Sequence, residues 1–240
     1  SQTVALYTPH QARFTGWRTV QLILEQFSVS VAAITGVLAA RGKEIDLFGV
    51  LVLALVTAFG GGTIRDVMLG VQVFWLSNTW YLVNAAVTAI VAFYLVRYHE
   101  LPSTVLMVAD AFALALFTIV GARKGLTCGV GPLVAVIMGV ITGVAGGILR
   151  DLLIGEIPLV FRREIYLYAT AAFFGASIFV WIRSWSDDPQ RDMLVGTAVT
   201  LAIRLAGIRW RISLPVFRPK SSVPAVAKSD DITHPAQPVS

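Results

Sequence analysis

Apolar residues along this chain gather into long runs, and the polar positions that would give a soluble protein its surface are confined to the short segments between them. A helix crossing a bilayer needs about 20 such residues. Seven runs fit: Leu22 to Ala40, Leu47 to Leu69, Trp80 to Val96, Thr104 to Ala122, Leu133 to Ile154, Ile165 to Ile182 and Met193 to Ile208. The loops between them leave no room for a soluble domain and make neighbouring spans antiparallel. The pattern predicts an all-α integral membrane protein with seven transmembrane helices.

A second pattern is laid over the first. The decapeptide Gly61-Gly62-Thr63-Ile64-Arg65-Asp66-Val67-Met68-Leu69-Gly70 returns as Gly146-Gly147-Ile148-Leu149-Arg150-Asp151-Leu152-Leu153-Ile154-Gly155, an offset of 150 − 65 = 85. Gly36 and Gly121 keep that offset, as do Tyr81 and Tyr166. A repeat on this scale reflects duplicated architecture. Each copy holds three spans, an odd number, so the second copy enters the membrane in the opposite sense. The expected organisation is two inverted three-helix repeats, residues 22–97 and 104–183, followed by a seventh helix at 190–210 outside the repeat. Residues 1–21 form an extramembrane segment without the apolar core of a signal peptide, so the first helix is expected to anchor the chain. Residues 218–240, rich in Pro, Ser and charge, read as a disordered tail.

The glycines fall inside spans. Gly60, Gly61 and Gly62 interrupt the second, and Gly143, Gly146 and Gly147 the fifth. Three glycines cost about 3 kcal/mol of helix propensity relative to alanine. In a bilayer, backbone freed by a break must be buried in protein or line a wet cavity, so paired breaks would mark a path for a solute. Freed carbonyls would suit a cation. The competing explanation is close helix packing, since Gly139, Gly143 and Gly147 recur at every fourth position.

Charge inside an apolar span is expensive. Arg65-Asp66 and Arg150-Asp151 are neighbours, and adjacent helical residues diverge by about 100 degrees. The expectation is a reciprocal arrangement, Arg65 with Asp151 and Arg150 with Asp66, or else helix-end charges that snorkel to the interface. Glu25 lies near the start of the first span, Asp110 about two turns into the fourth and Arg204 about three turns into the seventh. Asp110 and Arg204 are the stronger intramembrane candidates. Thr57 and Thr142 join them as candidate pore hydroxyls, within a wider set of Thr35, Thr88, Thr118, Thr197 and Thr200, though threonine also bonds its own helix backbone.

Composition agrees with the pattern: 240 residues, 56% hydrophobic, 14% charged and a mean hydropathy of +0.75. The net charge of +5 is scattered singly between apolar runs, which argues for loops obeying the positive-inside rule and against nucleic acid. Arg41, Lys43, Arg97, Arg162, Arg163, Arg209, Arg211, Arg218 and Lys220 collect on one side, and Arg13, Arg18, Arg123, Lys124, Arg183 and Arg191 on the other. The larger set places the C-terminus in the cytoplasm and the N-terminus outside, in a multi-pass cell-membrane protein. Cys128 is the only cysteine; it is expected to be buried and small, and no CxxC metal site exists. His10, His99 and His234 lie in termini or a loop, and no catalytic constellation is present, so no enzyme is expected.

The doubled Gly-Gly-Gly-x-x-Arg-Asp motif on the second and fifth of seven spans resembles prokaryotic members of the trimeric intracellular cation (TRIC) channel family, a sequence family that also carries a glycine transporter label. The resemblance covers most of residues 20–210. It implies a homotrimer whose protomers each hold a pore for monovalent cations, chiefly potassium, between helices kinked at Gly60, Gly61 and Gly62 and at Gly146 and Gly147. Ala145 stands where a third glycine would complete the second copy, with Gly143 close by. Animal members bind phosphoinositides beside basic pore residues; with no matching intramembrane lysine here, lipid regulation is not implied. Expected partners are further copies of the chain, membrane lipids and monovalent cations, with no cofactor or metal and with K+ or Na+ as permeant ions. The alternative is a secondary transporter of a small solute such as glycine, because inverted repeats with broken helices also serve alternating access.

Overall fold

The computed structural model of the protein describes residues 9–99, 102, 104–162 and 167–210, with side chains of the first helix described from Leu22 onward. The elements are α1 (Pro9–Ala40), α2 (Leu47–Met68), α3 (Phe74–Ser77), α4 (Trp80–Tyr98), α5 (Thr104–Thr127), α6 (Pro132–Leu153), a 3-10 turn (Leu159–Phe161), α7 (Tyr168–Arg183) and α8 (Pro189–Trp210). Among the described residues there is no strand. That follows from the solvent, because a lipid-facing segment must satisfy its backbone internally. Six helices are long and apolar enough to cross a membrane, and Tyr168–Arg183 is a shorter apolar one. The chain is a multi-pass helical membrane protein.

Helix ends are set by local chemistry. The Asp46 side chain caps α2 by accepting the Gly49 N–H at 2.7 Å, and Pro132 opens α6, where its missing N–H costs nothing. The second-span and fifth-span helices, α2 and α6, close alike. Gly70 and Gly155 take positive φ of 65° and 71°, and the next residues, Val71 and Glu156, return their N–H groups to the carbonyls of Asp66 and Asp151 at 3.0 and 2.9 Å. Glycine is required there because a left-handed residue carrying a Cβ is strained.

Helices α1, α2 and α4 pack together, as do α5, α6 and α7; α2 against α6 and α1 against α5 join the two groups, and α8 rests on α5 and α7. The interiors are rich in alanine, with Ala33, Ala54, Ala85, Ala111, Ala122, Ala135 and Ala172 all at 0% exposure, which lets backbones approach. Val83, Val87, Val91 and Leu95 on α4 remain exposed, as a lipid-facing surface requires.

Two expectations are corrected. First, the glycines do not interrupt their spans: α2 and α6 run as unbroken α-helices through Gly60, Gly61, Gly62, Gly143, Gly146 and Gly147. The missing Cβ is spent on close approach instead of on freeing carbonyls. Second, Cys128 is exposed. It lies just past the last turn of α5, in the turn closed by Gly129 at φ 80°.

Candidate functional site

The two glycine runs meet where α2 crosses α6. A Cβ on Gly61 would collide with the Thr142 carbonyl oxygen, and one on Gly146 would sit 2.5 Å from the Thr57 carbonyl oxygen. Gly61 and Gly146 are 85 residues apart, as are Thr57 and Thr142, so the contacts are the same contact made twice in exchanged roles. Gly143 is used differently, against α5, where a Cβ would strike the Thr118 hydroxyl. Gly60 faces the Leu149 side chain, Gly62 the Phe74 ring, and Gly147 the Tyr168 hydroxyl and Asp110.

The Arg-Asp pairs do not cross between the motif copies as expected. Arg65 donates Nε to Asp66 Oδ1 at 2.8 Å, and Arg150 donates Nε to Asp151 Oδ1 at 2.8 Å. Divergence by about 100 degrees describes Cβ directions; the long arginine side chain folds back far enough to reach its neighbour. The second carboxylate oxygen explains why an acid stands there. Asp66 Oδ2 accepts the Phe74 N–H at 2.9 Å, and Asp151 Oδ2 accepts the Leu159 N–H at 2.8 Å. Each Arg-Asp pair therefore latches the segment that follows its helix. Asp66 and Arg150 are at 0% exposure, Arg65 at 3% and Asp151 at 2%, so neither pair snorkels to an interface.

Beyond the latches the two ends differ. Arg150 also donates Nη1 to Asp110 Oδ1 at 2.8 Å, and the Arg204 guanidinium stacks 4.8 Å from the Tyr168 ring centroid. Asp110 and Arg204 thus belong to one buried cluster with Arg150 and Tyr168. The residue 85 positions before Asp110 is Glu25. It accepts a hydrogen bond from the Tyr81 hydroxyl, and between Glu25 and Arg65 lies a cavity of about 190 Å³ that Arg123 and Lys124 also line.

A gap of about 10 Å³ lies at the α2–α6 crossing, its lining including Thr35, Thr57, Thr142, Gly61, Gly146, Phe117, Asp110 and Arg150. That is room for about one water. Phe117 lines both the gap and the larger cavity. The threonine hydroxyls bond their own helices, Thr57 to Leu53 O and Thr142 to Met138 O at 2.6 Å each, and Thr35 and Thr200 likewise. The Thr57 and Thr142 hydroxyls lie beside Gly36 and Gly121, where an added Cβ would come within 3.1 Å of the first and closer still to the second. Thr88 instead joins Asn84 at 3.2 Å, in a polar seam with Ser30 and Gln26.

Sequence reasoning missed Tyr168, Phe117 and the pairing of Glu25 with Asp110. The offset of 85 was the signal for the last; an aromatic in an apolar run gives none. It also missed Asp192, fully buried on α8, whose two carboxylate oxygens have no hydrogen-bond partner among the described residues. Tyr166, the repeat mate of Tyr81, and Arg163 lie outside the described residues.

Known proteins place this geometry in context. The sequence model of a family described as Glycine transporter matches residues 22–97 and 107–184, two segments whose starts are again 107 − 22 = 85 apart. The UPF0126 inner membrane protein YadS of Escherichia coli K12 is 47% identical over 197 residues, covering 81% of this chain and 94% of that protein. A UPF0126 membrane protein of Vibrio cholerae is 44% identical, covering 81% and 82%. Among solved structures, the TRIC trimeric intracellular cation channel orthologue from Rhodobacter sphaeroides superposes with a TM-score of 0.76 at 39% identity, over 80% of this chain and 98% of that one. A prokaryotic TRIC channel in 0.5 M KCl gives 0.75 at 27% identity, over 82% and 100%. The chain belongs to the family described as Glycine transporter, which is the family of the prokaryotic TRIC channels.

Proposed function

We propose that the protein is a passive channel for monovalent cations, potassium in particular, with the path inside each protomer of a homotrimer. The path starts in the cavity beside Glu25, passes Phe117, threads the α2–α6 crossing and leaves beside Arg150 and Asp110. The carrying observation is the crossing itself: a gap of about 10 Å³ lined in part by Thr35, Thr57 and Thr142, where α2 and α6 meet through Gly61 and Gly146 set against backbone carbonyls. At room for one water it is a closed conformation. Where only glycine hydrogens lie between the backbones, at Gly61 and Gly146, the helices can slide or separate without breaking a backbone bond, and the threonine and carbonyl oxygens then face a cation.

Likeness to structures described as cation channels supports this reading. The 85-residue reciprocity of Gly61 with Thr142 and Gly146 with Thr57 supports two inverted three-helix repeats plus a seventh helix. The loop charges support an outside N-terminus and a cytoplasmic C-terminus.

Planar-bilayer recording of the purified protein under a potassium gradient tests the proposal. Unitary currents reversing near the potassium potential are expected in the wild type. They should vanish in Gly61→Leu, which wedges the crossing, and shrink in Thr142→Val, which keeps the shape and removes the hydroxyl. Silent bilayers beside saturable glycine uptake into proteoliposomes would overturn it in favour of a transporter.

A further inference from the structure

The lining of the cavity beside Glu25 carries three cations against one carboxylate. Arg65, Arg123 and Lys124 line it with Glu25 as the single carboxylate. Arg65 is paired with Asp66, and Glu25 accepts from Tyr81. Arg123 donates Nη1 to the Met193 thioether at 3.4 Å, a weak acceptor. Among the described residues neither Arg123 nor Lys124 makes an ion pair, though both are only partly exposed. Neither residues 1–21 nor the stretch from Gly70 to Thr79 contains Asp or Glu; the acids next in sequence to the lining Met193 are Asp187, Asp188 and the fully buried Asp192, none of which lines the cavity. The carbonyl end of α5 offsets part of this charge, since cations are favoured at a helix C-terminus. It does not account for an open cavity of about 190 Å³, roughly six water volumes at about 30 Å³ each, into which both cations face.

We propose that this cavity binds a tetrahedral oxyanion group, held by the Arg123 fork and the Lys124 ammonium with Arg65 behind them. A planar guanidinium matches an oxyanion edge through two parallel hydrogen bonds, and the lysine supplies a mobile point charge. Two sources carry that chemistry: a free sulfate- or phosphate-type ion, or the phosphodiester of a lipid headgroup. Occupancy neutralises two half-buried cations, so the bound form is the more stable one. The cavity is also where the path proposed above begins, but oxyanion binding is read by Tm and by mass, so its failure is distinguishable from a failure of permeation.

Thermal unfolding of the purified protein in detergent, titrated with sodium sulfate, tests this. The wild type is expected to show a saturable rise in Tm above the linear salting effect common to all variants. The double variant Arg123→Gln/Lys124→Gln should keep only the linear part, while Arg97→Gln at the opposite end keeps both. Should the double variant fail to fold, Lys124→Gln alone should raise half-saturating sulfate about tenfold, the loss of one charge-assisted contact. Native mass spectrometry separates the sources. A phospholipid retained by the wild type and lost from the variant assigns the headgroup, whereas saturable sulfate stabilisation without retained lipid assigns the free ion. A wild type with neither signal, or variants indistinguishable from it in both, would overturn the site.

Discussion

Arg150 and Asp110 form a 2.8 Å ion pair across 40 residues of sequence, with their side chains 0% and 4% exposed, and both line the α2–α6 gap. Their counterparts 85 positions earlier, Arg65 and Glu25, line a larger cavity. In one copy the acid pairs with the arginine of its motif; in the other the carboxylate accepts from a tyrosine.

Removing one member of a buried pair leaves a charge without its partner. Asp110→Ala is expected to destabilise the protein by about 3–5 kcal/mol, read as a lowered Tm in detergent. Replacing both residues with apolar ones, Asp110→Leu with Arg150→Met, should recover part of that loss, since the second substitution removes the stranded charge. Losses that simply add across the double variant would show that the two residues are not coupled.

The latches predict a local effect. Asp66→Asn and Asp151→Asn each replace a carboxylate that bridges an arginine and a backbone N–H by a neutral amide that bridges them poorly. A cost of about 1.5–3 kcal/mol is expected for each. Hydrogen exchange is the readout: Asp66→Asn should accelerate the Phe74 amide and its neighbours while leaving Leu159 protected, and Asp151→Asn should do the reverse. Uniform acceleration of both segments would mean global loosening and count against the latch.

Much of this was legible in the sequence, for a physical reason. A bilayer allows only one way of satisfying backbone, so apolar runs translate almost directly into helices, and the offset of Gly61 and Gly146 announces that they occupy equivalent places. What the sequence does not carry is direction. Glycine lowers helix propensity and also removes a steric barrier, and only the packed structure decides which matters; at Gly61 it is the barrier. Likewise Arg65 was sent to a distant acid by a rule about Cβ vectors, which ignores the reach of its own side chain. Phe117 and Tyr168 were unreadable because their roles come from neighbours on other helices.

The glycines should differ in what they tolerate. Gly61→Ala places a methyl against the Thr142 carbonyl oxygen, and Gly146→Ala places one 2.5 Å from Thr57 O. Backbone cannot rotate aside, so α2 and α6 must part. Gly60→Ala meets the Leu149 Cδ1, also at 2.5 Å, but that methyl can swing away. Overpacking costs about 1–3 kcal/mol; Gly61 and Gly146 are expected at the upper end and Gly60 near zero, after crediting alanine with about 1 kcal/mol of propensity. Tm values in one detergent rank them, and an equal loss at all three would refute the close-approach account.

Phe117 decides how the two cavities connect. It is 7% exposed, lines both the central gap and the cavity beside Glu25, and so is the aromatic that separates them. If cations travel this route, the ring sets the width of the join. Phe117→Leu removes bulk while keeping an apolar side chain of defined rotamer, at about 1 kcal/mol or somewhat more in stability, and it should raise unitary potassium current. Phe117→Trp should lower it. Because one substitution opens and the other fills, general damage cannot mimic the result: damage lowers the number of active channels in both, whereas the size of each current should move in opposite directions. Unitary currents unchanged in both variants would place the path elsewhere in the protomer.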